Sequence, residues 1–320
     1  MLLSISGIVL GLALLTVAAD QFVVGATRIA ARLRVSTVVI GAVVIGFGTS
    51  APELVVSVLA GLQGSLDLAV GNIVGSNVAN LTLVLGIAAL ITPVGVDTDV
   101  LRREAPLSLG LVLLLGFLLQ SGTLTRLHGV LLSAGLLVAL STTLWSAQRS
   151  SGVGEPPATD TVQEFLQAGG RLSLPRESVR TLLGLLGTLA AAQLLVVSAS
   201  SAARELGLSE AFIGLTVVAV GTSLPELATA VQAARRQETD LVIGNLLGSN
   251  LFNSGAVAAA AAFAGAGQPL GPSITGVGTV LMVGVATLAT VFMITGRRVH
   301  RSEGFVLLTL YVGTLPLLAT

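Results

Sequence analysis

Long apolar stretches, separated by short polar breaks, follow one another along the whole chain. A helix of about 20 apolar residues is long enough to cross a bilayer. The pattern predicts an all-α polytopic membrane protein. Its ten transmembrane helices are expected at about residues 4–32, 36–61, 69–91, 105–121, 125–147, 179–203, 209–233, 241–263, 273–295 and 304–319. The first of them lacks the basic n-region of a signal peptide and is interpreted as a retained helix.

The arginines indicate an orientation for these spans. With the N-terminus outside, 14 of the 16 basic residues fall in inside loops or at the adjoining helix ends, and only Arg126 and Arg204 fall outside. Inside loops of membrane proteins carry such an excess of positive charge. The sequence therefore predicts an integral protein of the cell (inner) membrane with both termini on the extracytoplasmic side.

One polar break is much longer than the others. Residues 148–178 are rich in Gly and Pro and are expected to form a cytoplasmic linker. The linker separates a first five-helix half, residues 1–147, from a second, residues 179–320. It leaves no room for a soluble regulatory domain.

The two halves contain the same motif at an offset of 173 residues. Residues 48–54 read Gly-Thr-Ser-Ala-Pro-Glu-Leu and residues 221–227 read Gly-Thr-Ser-Leu-Pro-Glu-Leu. Between 48 and 80, 16 of 33 positions are identical to their partners. The repeats extend over about residues 41–86 and 214–259. Because each half has an odd number of spans, the second copy enters from the opposite side, and such inverted repeats are typical of secondary transporters.

Composition excludes several classes of protein. The chain is 53% hydrophobic and only 10% charged, has a formal net charge of zero and contains no cysteine. Soluble domains carry about 25% charged residues, and a nucleic-acid binder needs a basic surface. We expect no enzyme activity, no resident cofactor, no nucleic-acid partner and no obligatory protein partner besides the lipid bilayer.

The repeats place acidic groups inside predicted spans. Glu53 and Glu226 would each cost about 2.5–3.5 kcal/mol or more to insert unless they face water or a cation. Pro52 and Pro225 break the helix beside them and free backbone carbonyls. Hydroxyl and amide oxygens share the same helix faces at i, i+3 and i, i+4 spacing. An all-oxygen set without imidazole or sulfur suits Ca²⁺ or Na⁺.

These motifs resemble the α-repeats of the cation/calcium exchanger superfamily, and of its sodium/calcium exchanger branch in particular. Each Gly-Thr-Ser-x-Pro-Glu segment is followed by Gly-Asn-x-x-Gly-Ser-Asn-x-x-Asn, at residues 71–80 and 244–253. The resemblance implies Na⁺-driven Ca²⁺ antiport by alternating access, with four cation sites at the midplane. It also implies that the first and sixth helices slide across the rest.

Carried over residue by residue, the resemblance implies a set of cation ligands. Glu53 and Glu226 would be shared by Ca²⁺ and Na⁺. Thr49, Ser50 and Ser76 would line one Na⁺ site. Thr222, Ser223 and Ser249 would line its symmetry mate. Asn80 and Asn253 would line the central site, and backbone carbonyls near Gly46 and Ala219 would assist.

One departure from many microbial relatives bears on coupling, since they have Asp where Asn253 stands. Two Glu leave a central charge of −2, which matches one Ca²⁺. The Na⁺ stoichiometry and any protonation step stay open, as does the role of Asp20 in the first span.

Several alternative functions stay open. A Ca²⁺/H⁺ exchanger of the same superfamily is the first alternative, although proton-coupled members carry Gly-Asn-x-x-Glu where this chain has Gly-Thr-Ser-x-Pro-Glu. A K⁺-dependent exchanger of the same superfamily is a further alternative. An uncoupled cation channel would share the ligands without the coupling. An intramembrane protease would use paired carboxylates but would not need the flanking hydroxyl and amide oxygens.

Overall fold

The computed structural model describes residues 2–33, 40–150, 173–206 and 219–318. Within these ranges the chain is almost entirely helical, with one antiparallel pair of two-residue strands. Six of the described helices are long and apolar enough to cross a membrane, and a helix pair bent by 47° adds a seventh if it counts as one span. The protein is therefore a helical membrane protein.

The described helices and strands are numbered along the chain. In chain order they are α1 (Leu2–Leu33), α2a (Gly41–Thr49), α2b (Ala51–Leu62), α3 (Leu66–Ile91), β1 (Val94–Gly95), α4 (Thr98–Arg102), α5 (Glu104–Leu119), α6 (Arg126–Ser150), α7 (Leu174–Glu205), α8a (Ala219–Thr222), α8b (Leu224–Arg235), α9 (Thr239–Ala264), α10 (Ile274–Gly296), β2 (Arg298–Val299) and α11 (Arg301–Leu318).

The predicted linker is shorter than its expected bounds of 148–178. Helix α6 runs to Ser150 and α7 begins at Leu174, so both ends of that segment are helical. Its central part, 151–172, lies outside the described residues, as does the beginning of the predicted span 209–233.

Proline breaks two helices at equivalent positions, as the sequence predicts. Ser50 (φ −81°, ψ 10°) separates α2a from α2b, and Ser223 (φ −87°, ψ 5°) separates α8a from α8b. In both cases the proline lies in the first turn of the second piece, where its missing N–H has no intrahelical partner to lose. The glutamate that follows it therefore also lies in a first helical turn.

Helices α3 and α9 form the centre of the molecule, and the broken helix α2a packs directly on α9. In each of α3 and α9, 78% of the span is buried. A Cβ at Gly248 would lie 2.4 Å from the Ala42 carbonyl oxygen, and one at Gly46 would lie 2.8 Å from the Ser249 nitrogen. Small residues permit such backbone contact between membrane helices. This contact places the end of α2a, and the break at Ser50 that follows it, beside Asn245 and Ser249 of α9.

Helices α1 and α7 form an antiparallel pair that packs mainly on itself. A Cβ at Gly7 would lie 2.2 Å from Ser198 Oγ, and one at Gly184 would lie 2.6 Å from the Phe22 nitrogen. Near one end of the pair, Glu177 bonds Arg28 and Arg180 at 3.2 Å each. The outer faces of both helices are apolar and exposed, as expected for helices in lipid.

Candidate cation site

The two acidic residues of the repeats are completely buried. Glu53 and Glu226 have 0% exposed surface and lie in the first turns of α2b and α8b. The N-terminus of a helix carries a partial positive charge that stabilises a carboxylate there. Ser50, one turn before Glu53, donates a hydrogen bond to Glu226, which brings the two acids close together. Neither forms an ion pair with an arginine within the described ranges.

Hydroxyl groups of the first repeat and of α9 surround Glu226. Ser50 Oγ donates to Glu226 Oε1 at 2.9 Å, and the hydroxyl groups of Thr49 and Ser249 lie near this carboxylate. Ser249 Oγ donates to the Gly46 carbonyl at 3.0 Å, and Thr49 Oγ1 lies 3.4 Å from the same oxygen. Five oxygen-bearing residues thus meet at one point, drawn from α2a, α8b, α9 and the break between α2a and α2b.

The surroundings of Glu53 are less crowded. Ser76 Oγ donates to Glu53 Oε1 at 3.4 Å. Thr222 Oγ1 donates to Asn72 Oδ1 at 3.5 Å, and the buried Ser223 Oγ has no hydrogen-bond partner in the described part of the chain. Ala219 is the first residue of α8a, directly after the gap at 207–218.

The grouping of hydroxyls differs from the one that the resemblance implied. Ser249, and not Ser76, lies with Thr49 and Ser50, whereas Ser76 lies with Glu53. The reason is that α2a packs its backbone on α9. Ser249 of the second repeat therefore lies beside the break of the first repeat, at Ser50.

The asparagines at the ends of the two motifs link helices α3 and α9 by hydrogen bonds. Asn80 Nδ2 donates to Asn250 Oδ1 at 3.1 Å, and Asn77 Nδ2 donates to Ser254 Oγ at 2.9 Å. Helices α3 and α9 change to π-helix at Asn80–Val84 and Asn253–Val257, so each π segment begins at the asparagine expected in the central site. Such segments often occur at functional sites.

Several buried oxygens at this place have no hydrogen-bond partner among the described residues. They are Glu53 Oε2, Glu226 Oε2, Asn80 Oδ1, Asn253 Oδ1 and Ser223 Oγ. A buried polar atom left unpaired costs about 1–3 kcal/mol. Unpaired carboxylate, amide and hydroxyl oxygens are the donors that Ca²⁺ and Na⁺ accept. The cluster therefore fits a hard cation.

Two sets of contacts were not specified by the sequence. Asp20 pairs with Arg236, whose Nε lies 2.8 Å from Asp20 Oδ1, so its partner is an arginine at the end of α8b. Asn72 and Asn245 contact the backbone carbonyls of Glu53 and Glu226. The exact repetition of both asparagines was the available signal for the second contact, whereas 216 residues separate the members of the first.

The sequence and the fold can now be compared with known proteins. The chain matches the sodium/calcium exchanger protein family over residues 3–145 and 178–318. CaxA of Alkalimonas amylolytica is 39% identical over 325 residues, which cover 98% of each chain. The sodium/calcium exchanger MaX1 of Methanosarcina acetivorans is 30% identical over 97% of each chain.

A solved structure has the same fold. The sodium-calcium exchanger NCX_Mj, soaked with Na⁺ and Ca²⁺, superposes with a TM-score of 0.84 at 30% identity, over 99% of this chain and 98% of that one. The family match spans nearly all of both halves, and the relatives cover the chain almost end to end. The protein therefore belongs to the sodium/calcium exchanger family, within the cation/calcium exchanger superfamily.

Proposed function

We propose that the protein exchanges Na⁺ for Ca²⁺ across the membrane by alternating access. The observation that carries this proposal is the buried pair Glu53 and Glu226, each with one carboxylate oxygen that has no partner among the described residues. Uncompensated carboxylates inside a membrane are expensive and mark ion pathways. The names of MaX1 and NCX_Mj, both sodium/calcium exchangers, support Na⁺ as the coupling ion.

Two Na⁺ sites follow from the grouping of the hydroxyls. One consists of the Gly46 carbonyl, Thr49, Ser50, Ser249 and Glu226, which already meet in the structure. The other consists of Glu53, Ser76, Thr222, Ser223 and a carbonyl near Ala219. The first is supported by direct contacts, and the second by the repeat and by the contact between Ser76 and Glu53.

The Ca²⁺ site lies between the two carboxylates, with Asn80 and Asn253 completing it. Two ionised glutamates supply a charge of −2, which one Ca²⁺ neutralises. Because both ions use the same carboxylates, they cannot both be fully bound. Two bare carboxylates close together in a poorly hydrated place repel each other. The loaded protein therefore changes sides readily, while the empty one resists, and this difference couples the two fluxes.

The proposed topology has ten crossings arranged as two inverted five-helix repeats. Both termini lie outside the cytoplasm of the inner membrane, and the segment between α6 and α7 lies inside. The distribution of the arginines supports this orientation. The antiparallel pair α1 and α7 is the moving element, because it packs mainly on itself and meets α8b through Asp20 and Arg236.

Ca²⁺ uptake into proteoliposomes tests the function directly. Vesicles containing the wild-type protein are loaded with Na⁺, K⁺ or protons in turn, and radiolabelled Ca²⁺ uptake is followed. We expect Ca²⁺ uptake only when Na⁺ inside the vesicles exceeds Na⁺ outside, so that Na⁺ efflux drives it. Uptake driven by protons alone would establish Ca²⁺/H⁺ exchange instead, and flux that ignores the ions on the opposite side would establish a channel.

Loss of either carboxylate is expected to stop exchange. Glu53→Gln and Glu226→Gln each remove a charge from the shared site and should reduce Na⁺-driven Ca²⁺ uptake more than about tenfold, since one removed partner of a cation is worth several kcal/mol. Glu303→Gln is the matched control, because Glu303 lies in the first turn of α11, where it accepts the backbone N–H of His300 at 2.7 Å. Wild-type rates in both site variants would refute the ligand roles.

A further inference from the structure

Asn72 and Asn245 make equivalent contacts that reach across the two repeats. Asn245 Nδ2 lies 3.3 Å from the Glu226 carbonyl and 3.1 Å from Thr229 Oγ1. Asn72 Nδ2 lies 3.4 Å from the Glu53 carbonyl and 3.1 Å from Ser57 Oγ. On its other side, each amide oxygen faces a threonine of the opposite repeat, at 3.4 Å from Thr49 and 3.5 Å from Thr222.

The hydrogen-bond network fixes which way each amide points. A backbone carbonyl only accepts, so the NH₂ group must face it. The neighbouring hydroxyls have already given their protons to carbonyls, since Ser57 donates to Ala69 and Thr229 donates to Pro225. They too can only accept from the amide. Oδ1 is therefore held toward the threonine in both repeats.

This orientation matters because the hydroxyl of Thr49 has one proton and three acceptors. The carbonyls of Ile45 and Gly46 lie at 3.0 and 3.4 Å, and Asn245 Oδ1 lies at 3.4 Å. When the proton goes to Asn245, the Thr49 lone pairs are free for a cation, and the Gly46 carbonyl accepts only from the Ser50 backbone N–H and Ser249 Oγ. When the proton goes to Gly46, that carbonyl accepts a third hydrogen bond and is less available to a cation.

We propose that Asn72 and Asn245 are positioning residues that set the Na⁺ affinity by accepting the hydroxyl proton of Thr222 and Thr49, respectively. Neither is among the expected cation ligands, and each acts through a threonine of the opposite repeat. The inference rests on the proposed function, because it assigns these threonines to Na⁺ and not to Ca²⁺. The proposed central Ca²⁺ site uses neither threonine hydroxyl, so loss of the amide should leave it intact.

The test separates Na⁺ affinity from Ca²⁺ affinity. Asn245→Leu and Asn72→Leu keep the approximate shape and remove the hydrogen bonds. In Na⁺-loaded proteoliposomes, the Na⁺ concentration for half-maximal Ca²⁺ uptake should rise about two- to tenfold, the equivalent of one hydrogen bond. The Ca²⁺ concentration for half-maximal Ca²⁺/Ca²⁺ exchange without Na⁺ should stay unchanged. A general loosening of the fold would shift both values.

A double-mutant cycle shows whether the asparagine acts through its threonine. In a Thr49→Val background, Asn245→Leu should cause no further rise in the Na⁺ requirement, and likewise Asn72→Leu in Thr222→Val. Ser108→Ala is the control, since it removes a buried bond to the Leu247 carbonyl away from the carboxylates. Asn245→Ala and Asn72→Ala replace any leucine variant that does not purify as folded protein.

The outcomes distinguish this inference from the proposed function. Wild-type Ca²⁺ uptake that does not respond to Na⁺ would overturn both. Na⁺-driven uptake in the wild type, together with unchanged Na⁺ requirements in the single variants, would overturn the positioning role alone. Effects that multiply in the double variants, or that raise the Ca²⁺ requirement equally, would do the same.

Discussion

At the scale of single residues, most of the buried oxygens that lack a partner among the described residues lie around Glu53 and Glu226. Elsewhere in the described ranges, buried serines and threonines commonly donate to a carbonyl one turn earlier, as Thr27, Thr181 and Thr188 do. Around Glu53 and Glu226, the hydroxyls of Ser50 and Ser76 instead face a carboxylate. Hydroxyl groups that do not donate to a carbonyl of their own helix are available to a ligand.

A carboxyl group outside the spans makes stability depend on pH. Burial, assisted by the nearby Asp240 and opposed by Arg236, raises the pKa of Glu238 from 4.5 to about 7 in the turn between α8b and α9. The folded protein then holds a proton that the unfolded chain releases at lower pH. The stability contributed by this proton is fully present below pH 4.5 and is lost as pH rises toward 7.

Glu238→Gln should remove this dependence. The variant should melt at a higher temperature than the wild type above pH 7, by the equivalent of at most about 3 kcal/mol, and the two should converge near pH 4.5. Thermal unfolding in detergent at a series of pH values checks this. A difference in melting temperature between the two proteins that stays the same at every pH would contradict the raised pKa of Glu238.

At the scale of elements, irregular helix recurs at equivalent positions of the two repeats. The breaks at Ser50 and Ser223 and the π segments at Asn80 and Asn253 all obey the offset of 173. Equal distortions in two different surroundings follow from the shared local sequence. The glycine contacts of α2a with α9 then bring one break against the serine and asparagines of α9.

Two glycine substitutions separate close helix contact from simple helix propensity. Gly248→Ala should lower stability by about 1–3 kcal/mol, the usual effect of overpacking, because its Cβ would lie 2.4 Å from the Ala42 oxygen. Gly110→Ala in α5 meets no described atom within 4 Å and should be neutral or stabilising by about 0.5–1 kcal/mol. Melting temperatures of the purified proteins provide the comparison, and equal effects would be inconsistent with backbone contact at Gly248.

At the scale of the whole molecule, the pair α1 and α7 lies beside a more deeply buried body centred on α3 and α9. If the pair moves as one unit during exchange, a bond within it should not stop transport. The chain has no cysteine, so a single disulfide can be introduced without background. A Cβ at position 187 would lie 3.0 Å from the Ala18 Cβ, and a separation larger by about 0.5–0.8 Å would suit a disulfide.

The double variant Ala18→Cys, Gly187→Cys should therefore exchange Ca²⁺ at similar rates when oxidised and when reduced. Uptake into proteoliposomes before and after treatment with a reductant gives the comparison, and each single cysteine variant serves as the control. Recovery of lost activity on reduction would show that α1 and α7 must move relative to each other.

Much of the candidate site could be predicted because its parts are local in sequence. The glutamates, the proline breaks and the duplicated asparagines are all visible within 33 residues of each repeat. The partners of Ser76 and Ser249 could not be predicted, because they depend on how the broken helices cross. Asp20 on α1 and Arg236 at the end of α8b meet only when those two helices pack. The spacing of polar residues within one helix does not predict a contact of this kind.

Because a hydroxyl group of one half bonds the carboxylate of the other, the two halves of the site depend on each other. Ser50 of one half bonds the acid of the other, so a half-length chain alone would hold its glutamate without part of the set of hydroxyl groups that surrounds it. Two separate half-length polypeptides, inserted in opposite directions, would have to assemble to complete that set. In a single chain this assembly is intramolecular and the two copies can differ, as Ala51 and its counterpart Leu224 do.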